Sequence, residues 1–216
     1  MTAGWGLLIR LCLVNAAIGA LAALPVNLFN RLMTVELALP ALLPGLLVAL
    51  HYGVQLPRPV WGHRSDTRGG RTPFILGGMV MVGAGVLGAA WGIQVAAASI
   101  SWALTIWILS YIAIGLGIGA AGTSFLALLA SVTGARKGAA ATLAWLMLIA
   151  GAIFASIGTG IALEPYSAER LVTVVAVVVT IALILCVLAT WRVEGGASVA
   201  PPTQDAPLMQ AHPALG

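Results

Sequence analysis

Charge is what this sequence has least of. Asp, Glu, Lys and Arg make up 7% of its 216 residues, against about 25% in a soluble globular domain. With 61% hydrophobic residues, the chain lacks the polar surface a water-soluble fold needs, so it reads as an integral membrane protein. Acidic residues are scarcer than basic ones, 6 against 10. None falls near the middle of an apolar run, which leaves no obvious proton relay. The basic residues do not form a patch with interleaved aromatics, so nucleic acid is not an expected partner. Cysteine is nearly absent. Cys12 and Cys186 each lie inside an apolar run and read as small buried hydrophobes, not as a disulfide or a metal pair. No nucleophile, base and orienting group stand together, and no phosphate-binding loop precedes a helix. No enzyme activity, catalytic residue or metal site is therefore expected. The N-terminus also lacks a basic region followed by a small-residue cleavage site, so the first apolar run is expected to act as an uncleaved insertion signal.

What is present is a series of apolar runs of membrane-crossing length. They lie at residues 11–28, 37–56, 73–93, 102–132, 139–163 and 171–191. Six transmembrane helices are expected over a domain of residues 1–195. Residues 196–216, dominated by Gly, Ala, Pro and Gln, read as a disordered tail or the start of an interdomain linker. An even number of spans puts both termini on one side. Eight basic residues (Arg10, Arg58, Arg64, Arg68, Arg71, Arg136, Lys137, Arg192) fall at one set of ends and two (Arg31, Arg170) at the other. The side with more basic residues is expected to be cytoplasmic, so both termini are placed there. Trp191 beside Arg192 has the make-up of an interface anchor.

The densest polar stretch runs from Gly62 to Pro73. Arg58, Arg64, Arg68 and Arg71 hold it on the basic side, where they can pair with carboxylates or lipid phosphates. Gly62 and Gly69 permit a tight reversal. Asp66 has the chemistry to accept hydrogen bonds from backbone N–H groups at a helix start. The order Gly62, Asp66, Gly69, Arg71 resembles the loop motif between helices two and three of the major facilitator superfamily. A plain basic loop is the alternative.

Elsewhere the polar candidates are few. Asn15, inside the first run, reads as an interhelical hydrogen bond or a substrate contact. Asn30, Arg31 and Glu36 are expected in a turn between the first two spans, with Arg31 and Glu36 able to pair. His51, with Tyr52 and Gln55, lies near the cytoplasmic end of the second run. It reads as a packed histidine, or as an imidazole able to ligate the magnesium of a chlorin. Gly115, Gly119 and Gly122 in the fourth run form a small-residue face suited to close helix packing. Gly83, Gly85 and Gly88 thin the third run, and Gly151, Gly158 and Gly160 thin the fifth.

The stretch from Asn30 to Tyr52, followed by Arg58, Gly62, Ser65, Asp66 and Gly69 through Pro73, resembles the PucC/LhaA family. That family is the bacteriochlorophyll-delivery branch of the major facilitator superfamily. Gly115 to Ser124, Ala139 to Thr142 and Trp145-Leu146-Met147 carry the resemblance further, over most of residues 8–195. It implies an all-α fold built as a three-plus-three inverted repeat. It also implies a role in assembling light-harvesting antenna complexes in the inner, intracytoplasmic membrane of photosynthetic bacteria. Bacteriochlorophyll is the implied cofactor or cargo. Antenna polypeptides or a reaction centre–antenna complex, besides membrane lipids, are the implied partners. Family members have about twelve spans, so this chain resembles an N-terminal half. A homodimer or a separate C-terminal half is then the expected complement. Half of a solute transporter and a structural accessory subunit are the alternative readings.

Overall fold

The structure, a computed structural model, describes residues 4–56 and 70–194. Every regular element among them is helical. Helix α1 spans Trp5–Ala23 and runs through a single π turn, Leu24–Leu28, into α2, Phe29–Val35. Then come α3 (Leu42–Gly53), α4 (Thr72–Ala96), α5 (Ile100–Thr133), a short 3-10 turn (Gly134–Arg136), α6 (Lys137–Ala162) and α7 (Ala168–Thr190). Four apolar stretches, Trp5–Val35, Thr72–Ala96, Ile100–Ala162 and Ala168–Thr190, are long enough to cross a bilayer. The chain is an all-helical membrane protein.

The first turn lies later than the sequence implies. Residues 30–36 are not a reversal, because the helix continues to Val35. Pro25 removes one backbone donor and would break an ordinary α-helix. Here the chain widens into a π turn around it, and the buried Tyr111 hydroxyl donates to the Pro25 carbonyl at 3.1 Å. The reversal comes at residues 36–41. Ala38 sits at φ 49, and Leu39, before Pro40, is kept from helical geometry by the proline ring. The second apolar run is correspondingly shortened. Helix α3 has 12 residues, about 18 Å at 1.5 Å per residue, against a hydrocarbon core of about 30 Å.

Side-chain contacts place the helices. The Trp5 ring lies 5.3 Å from the Arg136 guanidinium, and Arg71 reaches Ala127. Helix α5 therefore descends to the end where α1 begins, and α6 climbs away from it. Gly134, at φ 52, supplies the left-handed backbone that this reversal requires. Helix α1 packs against α6 and α7, α5 against α4 and α3, and α4 against α7, while α6 and α7 scarcely touch each other.

Backbone approach between α4 and α5 explains why that pair is tight. Gly78, Gly85 and Gly92 repeat every seven residues and so line one stripe of α4. A Cβ at Gly78 would lie 2.7 Å from the Gly117 carbonyl, and one at Gly85 would lie 2.7 Å from the Ser110 carbonyl. At Gly92 it would meet the Trp107 indole nitrogen at 2.5 Å. Trp107 can lie there because its Nε1–H donates to the Ala89 carbonyl at 3.2 Å. Between α1 and α6 the same device recurs: Gly19 abuts the Leu148 backbone and Gly151 the Ala16 backbone. In a bilayer, where the hydrophobic effect does not drive helices together, such close packing is a main source of attraction.

Candidate functional site

Three regions carry the chemistry. The first is the end of the molecule where the basic residues gather. Arg10 Nη2 donates to the Trp191 carbonyl at 3.0 Å, tying the start of α1 to the end of α7. The Glu194 carboxylate accepts from the Arg71 backbone N–H at 2.6 Å and from the Thr72 N–H at 3.1 Å. It therefore caps α4, satisfying free N–H groups and meeting the positive end of the helix dipole. Arg71 Nη1 donates to the Ala127 carbonyl on α5 at 2.9 Å. Glu194 thus caps α4 in the manner anticipated for Asp66, whose own contacts lie outside the described residues. The sequence signal was an acid a few residues past the last apolar run, and its partner lies over 120 positions away. Gly62, Asp66 and Gly69 lie outside the described residues.

The opposite end holds Asn30, Arg31 and Glu36. Asn30 and Arg31 are on helix α2, and Glu36 closes it. Five residues apart on a helix, Arg31 and Glu36 project on different sides, and they make no ion pair. The Glu36 charge acts on Tyr166 instead. Partial burial, and then the Glu36 charge, raise the Tyr166 phenol above its ordinary 10.0. Gln94 Nε2 donates to the Ala168 carbonyl at 2.8 Å, tying α4 to α7 at this end.

His51 is in the core, 2% exposed. The Gln55 amide nitrogen lies 3.1 Å from its Nε2 and 3.2 Å from its carbonyl. Tyr52 meets the ring edge-on at 4.7 Å. The His51 carbonyl abuts Gly115 of α5. As folded, this cluster joins α3 to α5, and axial ligation of a metal by Nε2 would require Gln55 to turn away. Asn15 is likewise committed, donating to the Ala144 carbonyl on α6 at 2.7 Å. The glycine face on α5 divides. Gly115 makes a backbone-to-backbone approach, and Gly119 is buried. Gly122 has open space where a Cβ would point, so it is not a packing glycine. Gly158 and Gly160 are open in the same way. Gly160, nine residues past Gly151, is turned to the opposite face, whereas Gly122 and Gly158 lie seven residues past Gly115 and Gly151 on nearly the same face and are open because the close contact does not reach their level on the helix. Gly19, Gly78 and Gly92 do make close approaches, and sequence spacing did not single them out.

The third region is a lateral apolar groove of about 710 Å³ between α1, α6 and α7. Ala17 and Ala20 form its floor, and Phe154, Gly158, Val177 and Ile181 stand along its walls. Its two lining hydroxyls are already used: Thr159 donates to the Ala155 carbonyl and Thr173 to the Glu169 carbonyl. Beside the groove, α6 turns Trp145, Ile149, Ile153 and Ile157 outward, all at least half exposed. Among the described residues, no group of His, Cys, Asp and Glu is arranged to hold a metal ion.

The family model described as PUCC protein matches residues 28–213. The bacteriochlorophyll synthase 44.5 kDa chain of Rhodobacter capsulatus is 49% identical over 197 residues, covering 90% of this chain and 46% of that protein. Protein PucC of Cereibacter sphaeroides is 30% identical over 203 residues, covering 87% of this chain and 44% of its own length. Protein PucC of Rhodovulum sulfidophilum is 26% identical over 200 residues. The chain thus spans about half the length of the curated relatives it matches. No solved structure matches it. The family match begins at the end of the π turn and runs through α2, the α3 cluster, the basic loop and all the later helices, and the chain belongs to the PUCC protein family.

Proposed function

We propose that the chain is a membrane-embedded assembly factor for light-harvesting antenna complexes, handling bacteriochlorophyll or antenna polypeptides without catalysing a reaction. The observation that carries this is the family match over residues 28–213, together with relatives whose names refer to bacteriochlorophyll synthase and PucC. The geometry is in keeping with it. The buried polar side chains Asn15, Trp107 and Tyr111 are spent on backbone carbonyls. The outward face of α6, with Trp145, Ile149, Ile153 and Ile157, is apolar and exposed, which suits hydrophobic cargo.

In this reading the chain is a six-span half of a major facilitator fold, in the inner, intracytoplasmic membrane, with both termini cytoplasmic. The 3+3 repeat is supported by the packing. Exchange of the first three spans with the last three turns the pair α1–α6 into α5–α3, and α4–α5 into α7–α1, and all four pairs are in contact. Gly19 meets a carbonyl of α6 as Gly115 meets one of α3. The orientation is tested by single cysteines at Ser167 and Ser198, which should label from opposite sides of sealed vesicles. Labelling from one side would overturn it.

A second reading, half of a solute transporter, is favoured by the repeat-like packing of the first three spans and the last three. Alternating access needs a second half packed against this one. Purification from a photosynthetic membrane, with absorption spectroscopy and native mass spectrometry, separates the readings. Bound bacteriochlorophyll or antenna polypeptide supports the assembly role. Stoichiometric retention on a reaction centre indicates an accessory subunit. A second half with neither pigment nor antenna polypeptide indicates the transporter.

A further inference from the structure

We infer that the groove between α1, α6 and α7 holds one acyl chain of an anionic phospholipid, whose phosphate lies against Arg10. The lining sets the chemistry of the tail. Both lining hydroxyls donate within their own helices, so the groove has no free polar group to offer and takes hydrocarbon alone. Its length sets the size. The α7 wall runs from Thr173 to Leu185, 12 residue steps or about 18 Å. One leaflet of the hydrocarbon core is about 15 Å, so a single extended chain fits lengthwise.

Arg10 sets the headgroup. It lies three residues from Leu13, a lining residue, and hence on the same face of α1. One of its terminal nitrogens is held to the Trp191 carbonyl, so the cation bridges α1 and α7, two of the helices that form the groove. Its Nε is buried and out of a ligand's reach, which leaves the N–H groups of the two terminal nitrogens to meet one. A guanidinium at the basic mouth of a hydrocarbon slot complements a phosphate, which can take two of its N–H groups at once. This site does not depend on the cargo proposed above.

The test uses the whole chain in lipid nanodiscs with chain-spin-labelled phosphatidylglycerol or phosphatidylcholine. The wild type should immobilise one labelled phosphatidylglycerol per chain. Gly158→Leu places its side chain in open groove space. It should lower occupancy at least about tenfold, because each displaced methylene forfeits burial. Gly160→Leu, equally open but outside the groove, should leave occupancy unchanged. Arg10→Gln should keep the tail but reduce the preference for phosphatidylglycerol about fivefold, the share of one basic residue at an anionic headgroup. Excess inorganic phosphate should not compete, because the tail supplies most of the hold. Unreactive Cys12 and Cys186 thiols report that each variant is folded, and Ala162→Phe replaces Gly158→Leu if that variant is not. Equal occupancy in the Gly158 and Gly160 variants would overturn the proposal. So would equal immobilisation of phosphatidylcholine by the wild type, displacement by phosphate, or a bound polypeptide in place of lipid.

Discussion

Gly77 and Gly78 are adjacent on α4 and make opposite demands. Replacing either with alanine improves helix propensity by about 1 kcal/mol. At Gly77 the new methyl meets nothing within 4 Å, so the gain should stand. At Gly78 it would lie 2.7 Å from both the Gly117 carbonyl and the Ala121 nitrogen. Ordinary contact begins near 3.4 Å, so α4 and α5 must separate by about 3.4 − 2.7 = 0.7 Å. Both obstacles are backbone, and neither can rotate away. Overpacking of this kind costs about 1–3 kcal/mol. Set against the propensity gain, Gly78→Ala should be less stable than Gly77→Ala by about 1–3 kcal/mol, and 1.4 kcal/mol is a tenfold change in the folding equilibrium. Cys12 and Cys186 are fully buried, so a thiol-reactive fluorophore reads unfolding directly during a thermal or SDS titration in mild detergent. Equal stability of the two variants would refute the backbone-to-backbone packing of α4 on α5.

Three further outcomes follow from single contacts. Glu194→Ala should cost about 1–2 kcal/mol, the value of a lost helix cap, and should raise hydrogen exchange at Thr72 to Ile75 above that in the middle of α4. Asn15→Val should lower stability by about 0.6–1.7 kcal/mol, the range for an interhelical hydrogen bond in a membrane, measured by the same thiol assay. Tyr166 is neutral when protonated, and its folded-state pKa is raised. The folded protein therefore holds that proton more tightly than the unfolded chain, and stability should fall as pH rises past about 10. Ultraviolet difference titration against Tyr166→Phe should show late phenolate formation. Glu36→Gln should bring it part of the way back, because burial is the larger cause.

Asn15 and His51 show how far residue type alone reaches. A lone amide in an apolar run must find a partner inside the fold, and it donates to the Ala144 carbonyl. For His51 the sequence offered Gln55 one turn away, and that neighbour does engage the ring. Whether the ring faced the core or the lipid depended on α5, because Gly115 lets the His51 backbone approach closely. The turn expected at Asn30 to Glu36 came later, because the helix runs on past Pro25 to Val35. Proline reports the loss of a donor, but a π turn and a distant tyrosine hydroxyl absorbed that loss.

Composition by itself determined the class of the protein. Few charges and long apolar runs leave only a helical membrane fold, because every backbone group must be satisfied inside its own segment. The uneven division of arginines was legible for the same reason, since charge cannot be left at the bilayer centre. What the tertiary structure alone decided is which glycines meet backbone. Gly78 and Gly77 are indistinguishable in sequence, and so are Gly115 and Gly122. A 100° step around the helix takes Gly77 out of the contact that Gly78 makes, and two turns along nearly the same face take Gly122 past the contact that Gly115 makes; both limits are set by packing. The clasp of Glu194 on α4 and the groove between α6 and α7 were also beyond sequence reasoning. Each depends on how helices distant along the chain come to rest against one another.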